Sequence, residues 1–249
     1  NLKRTADIGL ATCYERLGDV DLQLAAGERA VGLDIKSVAA RVAAARALVA
    51  CGRLAAALPQ FRRAAALAGD DLAARPDIWA PLLRLELMAI SQGWSERHDR
   101  SKVDAQAAAI AAAVPAKYGP LVRALVLAGD GKTADAIALL EEARTANPDD
   151  PHLAAATISM QARVEQASGV DKIVADLPTA IQDSADVQMA EAEACRILPD
   201  VAGSRLAEDL FRRRPNDLRA AMGALQTRLR RSDADATAAM SETISRIAG

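Results

Sequence analysis

The sequence predicts an all-α protein, a single solenoid of about seven antiparallel helix pairs over residues 1–249. Three observations carry this. Hydrophobic residues make up 51% of the chain and aromatics only 2%, alanine being the largest part of the apolar share. Alanine is the best helix former, and its small side chain lets helices approach closely. Gly18 and Gly52 stand 34 residues apart, as do Ala30 and Ala64, which is the spacing of one repeated helical hairpin. Gly and Pro punctuate the chain at helix lengths, and no run alternates Val, Ile, Thr or aromatics as strands do.

In chain order, Leu10–Asp19 is a helix end followed by a tight turn, and the partner helix closes near Glu28–Asp34. Ala45–Arg53 ends the next first helix in the same way, and Phe61–Leu67 belongs to its partner. Clear repeats therefore span 4–37, 38–71 and 116–149. The unit over 77–114 is longer: its first helix ends at Gly93 and the next begins near Ser101, with Ser101-Lys-Val-Asp104 as a capping box. Trp94–Arg100 is then an inserted loop. In the repeat over 116–149, Gly131 takes the left-handed turn position and Thr133 caps the second helix. Beyond Pro151 the pattern degenerates into pairs over 151–184, 186–214 and 216–249, punctuated by Pro178, Pro199 and Pro215.

The residues at these positions resemble the tetratricopeptide repeat family. The first unit supplies Ala11, Tyr14, Gly18 and Ala30; the second Ala45, Leu48, Gly52, Ala57, Phe61 and Ala64; the unit over 116–149 Ala124, Leu127, Gly131, Ala136, Leu140, Ala143 and Asn147-Pro148. The early tryptophan of the family pattern is replaced by Asp7 and Arg41. The resemblance implies a right-handed superhelix whose concave side is lined by the first helix of each pair. It places Ile8, Thr12, Val42 and Arg46 there, with Leu83, Leu87, Ile90, Leu121 and Leu125 further on. The Lys and Asn with which some members grip a C-terminal carboxylate are not at the matching positions, Ile8, Thr12, Val42 and Arg46. The implied function is a non-catalytic scaffold that takes a partner peptide or helix in an apolar concave groove. Candidate contacts are Leu83, Leu87, Ile90, Leu121, Leu125 and Arg46. The competing reading makes these leucines core against the next pair, and the chain a self-association or spacer module of a larger protein. In the inserted loop, Trp94 and Arg97 are further candidate contacts, because Trp and Arg dominate binding hot spots; Trp94 folded back over an apolar gap is the alternative.

Other chemistry finds little support. The chain has 31 basic and 33 acidic residues, net −2, so broad attraction to nucleic acid is not expected. Cys13, Cys51 and Cys195 are too far apart for a metal or redox motif and are expected as small buried hydrophobes. The two histidines, His98 and His152, stand in no metal-binding spacing. Gly129-Asp-Gly131-Lys132-Thr133 lacks the first glycine of a phosphate loop, Val126 standing there. No catalytic residue, cofactor or metal is expected. Arg196, Arg205, Arg212–Arg214, Arg219, Arg228, Arg230 and Arg231 crowd the late chain. They suit an anionic partner or, preferably, the negative ends of helix dipoles. No stretch is long and apolar enough to enter a membrane. The Ala- and Arg-rich composition is that of a GC-rich bacterial genome. A chain that begins at Asn1 is expected to be a piece of a longer protein. It is further expected to be a soluble monomer or weak homodimer, cytoplasmic, or periplasmic if a signal has been removed.

Overall fold

The computed structural model describes residues 2–17, 19–94, 99–164, 167–198 and 200–214, together with 224–225, 238, 241–242 and 244–245. Among these every regular element is helical and none is a strand. No helix among them is long and apolar enough to cross a membrane. The chain divides into two compact units, Asn1–Lys132 and Thr133–Gly249.

The first unit holds α1 (Leu2–Leu17), α2 (Val20–Leu33), α3 (Val38–Ala50), α4 (Leu54–Ala68), α5 (Pro76–Ser91), α6 (Arg100–Ala113) and α7 (Gly119–Gly129). Side chains cap the first turns of α2, α3 and α6 and a proline stands in those of α5 and α7, while α4 starts without a side-chain cap. The Asp19 carboxylate accepts from the Leu22 N–H at 3.0 Å, the Ser37 hydroxyl oxygen accepts from that of Ala40 at 3.3 Å, and Pro76 opens α5. Gly52 ends the hairpin turn after α3 with φ +72°, a conformation that carries a steric penalty for residues with a Cβ. Gly18, the expected turn residue of the first pair, lies outside the described residues. Consecutive helices pack on one another from α1 to α7, and α1 also touches α3, as α5 touches α7. Ala30 and Ala64 are both fully buried. At Gly27 the approach is closest: a Cβ there would lie 2.9 Å from the Ala44 Cα. One apolar cluster gathers Leu58, Phe61, Ile78, Leu82 and Leu85 from α4 and α5.

Two expectations are corrected here. The helix after the inserted loop is capped by Asp99, not Ser101. Asp99 Oδ1 accepts from both the N–H and the hydroxyl of Ser101, at 3.0 and 2.7 Å. A carboxylate at the loop end wins the cap position, α6 begins at Arg100, and Asp104 instead accepts from Arg100 Nε at 2.8 Å. Cys13 is exposed, because it lies on the side of α1 turned away from α2 and α3.

The second unit holds α8 (Thr133–Ala146), α9 (Pro151–Arg163), α10 (Ala167–Asp176), the single turn α11 (Thr179–Gln182), α12 (Ala185–Ile197) and α13 (Asp200–Arg213). Asp150 caps α9 through the N–H groups of His152 and Leu153 at 3.0 and 3.2 Å. Helix α9 is central, packing on α8, α10 and α12. Ala154, Ile158, Val170, Ile173, Val187 and Leu206 form the core. The pair expected over 216–249 lies outside the described residues, apart from the few positions named above.

Candidate functional site

The leucines assigned to a groove come from α5 and α7. Helix α5 is largely apolar, and its residues are divided between a buried seam and a narrower half-buried strip. Leu83 is 0% exposed and Leu87 and Leu121 are 4%. These three are packing residues within the first unit. Leu87 lies beneath Gly129 of α7, so closely that a Cβ on Gly129 would meet its Cδ2 at 3.0 Å. Ile90 and Leu125 are half-buried and keep surface. On the first pairs, Val42 is buried, Ile8 half-buried and Thr12 exposed. The Thr12 hydroxyl donates to its own helix at the Ile8 carbonyl, 3.1 Å away.

Arg46 reaches back from α3 to α1, its Nε 2.9 Å from Glu15 Oε1. It therefore serves as a link between the first helices of two pairs. Trp94 rests half-buried on the cluster formed by α3, α4 and α5. Its backbone N–H donates to the Ala89 carbonyl at 3.0 Å, and its indole N–H donates to Gln92 Oε1 at 2.7 Å. The ring thus covers the end of α5 in the way an amphipathic aromatic does, body on the core and polar edge outward. Arg97 and His98 lie outside the described residues.

The late arginines have a role the sequence did not disclose. Glu191, in the middle of α12, is 0% exposed. Arg213 Nη2 and Arg214 Nη1, at the end of α13, donate to its two oxygens at 2.8 and 2.9 Å. Arg214 also donates to the Gln182 carbonyl and stands 3.8 Å from Asp183. Arg212 pairs with Asp209 at 2.6 Å. So Arg213 and Arg214 engage a buried carboxylate, while Arg212 and Arg213 also stand in the last turn of α13, where a cation complements the helix dipole. The Arg196 side chain and Arg219, Arg228, Arg230 and Arg231 lie outside the described residues. A second buried acid, Glu86, receives both Arg62 Nε and Arg62 Nη2 at 2.6 Å, a fork that holds α4 to α5. This hydrogen bonding raises the Arg62 pKa. The only legible signal for either glutamate was an acid set among apolar helix neighbours.

For chemistry, burial pushes the Cys51 thiol up, away from the thiolate a nucleophile needs. Its Sγ lies 3.6 Å from the Val20 carbonyl, as a packing residue does. His152 stands 3.6 Å from Asp186 between α9 and α12. Among the described residues no group of three or more His, Cys, Asp or Glu is gathered as a metal ion would require. A scan against models of protein families matches none, and a search of curated proteins finds no match.

Proposed function

We propose that the chain is a tetratricopeptide-like helical-repeat scaffold, a right-handed α-solenoid that binds a peptide or helix of a protein partner and carries out no reaction. The observation that carries this reading is the equivalence of the first two pairs. At the two seam positions of each pair, residues 34 apart occupy the same environment: Ala11 and Ala45 are buried, and so are Ala30 and Ala64. Stacked hairpins of this kind share one core along their length and present long surfaces suited to recognition. The contact strip in the first unit is narrower than the leucine count suggests. It consists of Ile90 on α5 and Leu125 on α7, with Trp94 at the loop, while Leu83, Leu87 and Leu121 support it from beneath.

Ile90→Asp combined with Leu125→Asp tests this reading. The immobilised chain captures a partner from an extract of its parent cell, and the double variant, at unchanged helix content, captures at least tenfold less. Equal capture by both forms would remove the strip from the binding surface.

A further inference from the structure

Among the described residues the exposed large hydrophobic side chains are concentrated in one place. Leu2, Leu10, Leu22, Leu33 and Ile35 all belong to the first helix pair and the turn after it, and Ile197 alone lies elsewhere. Single exposed hydrophobics are ordinary, whereas a concentration marks a surface made to be covered. On α1, Leu2, Ala6, Gly9, Leu10 and Cys13 recur at helical spacing on one face, and all five are exposed. The other side of α1 is committed. Ala11 is buried, Asp7 accepts from Arg29 of α2 at 3.0 Å, and Glu15 accepts from Arg46 of α3.

The chain itself indicates what covers such a face. Moving 34 residues along carries Ala6, Leu10 and Cys13 to Ala40, Ala44 and Ala47 of α3, which are 0–2% exposed. What lies against Ala44 is α2, at Gly27. A face exposed on α1 is therefore, one repeat later, a helix-to-helix joint with a small residue at its centre.

We propose that the outer face of α1 docks a helix of a partner protein that does for α1 what α2 does for α3. This helix presents an apolar stripe with Gly or Ala at its centre and an acidic residue toward the start of α1. The acid follows from charge: Lys3 is exposed at the edge of this face, while both carboxylates of α1 are turned to Arg29 and Arg46. Leu10 replaces the smaller Ala44, so the docked helix stands farther out and Leu10 enters the gap above its small residue. A second copy is the poorer occupant, because the α2 stripe of each chain is already laid on its own α3. The proposal is independent of the Ile90–Leu125 strip.

The probe is a fluorescent peptide of residues 19–34, which carries the α2 stripe and net negative charge, titrated with the full chain at low salt. Saturable binding is expected, weakened at least tenfold by Leu10→Asp and severalfold by Lys3→Glu, and unchanged by Ile90→Asp with Leu125→Asp. Ala6→Glu, at an exposed helical site, repeats the Leu10 reading should that variant fold poorly. Failure of the peptide to bind overturns the proposal. So does binding that survives both Leu10→Asp and Ala6→Glu, which would mean exchange with the resident α2. A homodimer in sedimentation that dissociates on Leu10→Asp overturns it as well, since the occupant would then be a second copy.

Discussion

The joint between α2 and α3 and the joint between α12 and α13 solve one problem in two ways. Both bring helices close at a glycine. A Cβ on Gly27 would meet the Ala44 backbone at 2.9 Å, and one on Gly203 the Cys195 carbonyl at 2.5 Å. The first joint relies on size, with Ala26 and Ala30 fully buried along α2. The second adds a buried charge: Glu191 is held by two arginines from the end of α13. A joint set by size tolerates any small apolar residue and fails by overpacking. A joint set by charge fails when one partner is removed, because the remaining ion has lost water and gained nothing.

The largest expected effect tests the charged joint. Arg213→Ala with Arg214→Ala leaves Glu191 buried and unpaired, and should cost about 3–5 kcal/mol in urea denaturation. Adding Glu191→Met to the pair should recover a large part of that loss, since an apolar side chain needs no cation. If the triple variant is no more stable than the double, packing of the arginine stems, and not the charge, dominates. The apolar joint is expected to lose less. Gly27→Ala should cost about 1–3 kcal/mol through overpacking. Gly9→Ala on α1, where a Cβ meets nothing within 4 Å, should stabilise by about 0.5–1 kcal/mol through helix propensity. Thermal melts of the two glycine variants that shift in the same direction would show the α2–α3 approach to be looser than the geometry implies.

How far this was legible in the sequence follows the same division. Turn glycines, capping residues and a 34-residue period act over short distances, so helix limits and the burial of Ala30 and Ala64 could be read off directly. The cap of α6 was misplaced because Asp99 and Ser101 both suit the position, and only the backbone decides which carboxyl or hydroxyl reaches the free N–H groups. The division of α5 was not legible either: a largely apolar helix does not disclose which of Leu83, Leu87 and Ile90 keeps surface. Glu191 was least legible, since its partners lie 22 and 23 residues away, across a joint that periodicity does not describe. The run of three arginines reads as complementing a helix end, where it does stand, but that two of the three also answer a buried acid could not be read without locating the acid.

A smaller effect is expected at the cap that starts α2. The Asp19 carboxylate answers one free N–H of the first turn, so Asp19→Ala should cost about 1 kcal/mol. Asp19→Asn, which keeps the acceptor, should cost less. Hydrogen exchange at Leu22 is the sharper measurement: faster exchange in the alanine variant alone places the loss at the cap.

The smallest effect concerns acid, at the turn that joins α2 to α3. The Asp34 carboxylate accepts from the Lys36 N–H at 3.0 Å and is paired with Arg4. The Lys36 hydrogen bond first, and Arg4 after it, hold Asp34 below the ordinary aspartate value of 3.8. The hydroxyl and N–H of Ser101 hold Asp99 below it likewise. A carboxyl whose pKa is lowered by folding adds stability that is complete above the unfolded value and is lost as pH falls through the folded one. The urea midpoint should therefore be flat from neutrality down to about pH 5 on account of these two groups, and should fall below about pH 4. Asp34→Asn retains an acceptor for Lys36 but cannot titrate, so its midpoint should start slightly lower at neutral pH and fall less steeply in acid. The difference should be modest, since exposed ion pairs contribute little and are screened by salt, and it should shrink as salt is added. Identical acid slopes for wild type and Asp34→Asn would mean that the turn is held by its backbone alone, leaving side-chain packing as the whole support of the α2–α3 joint.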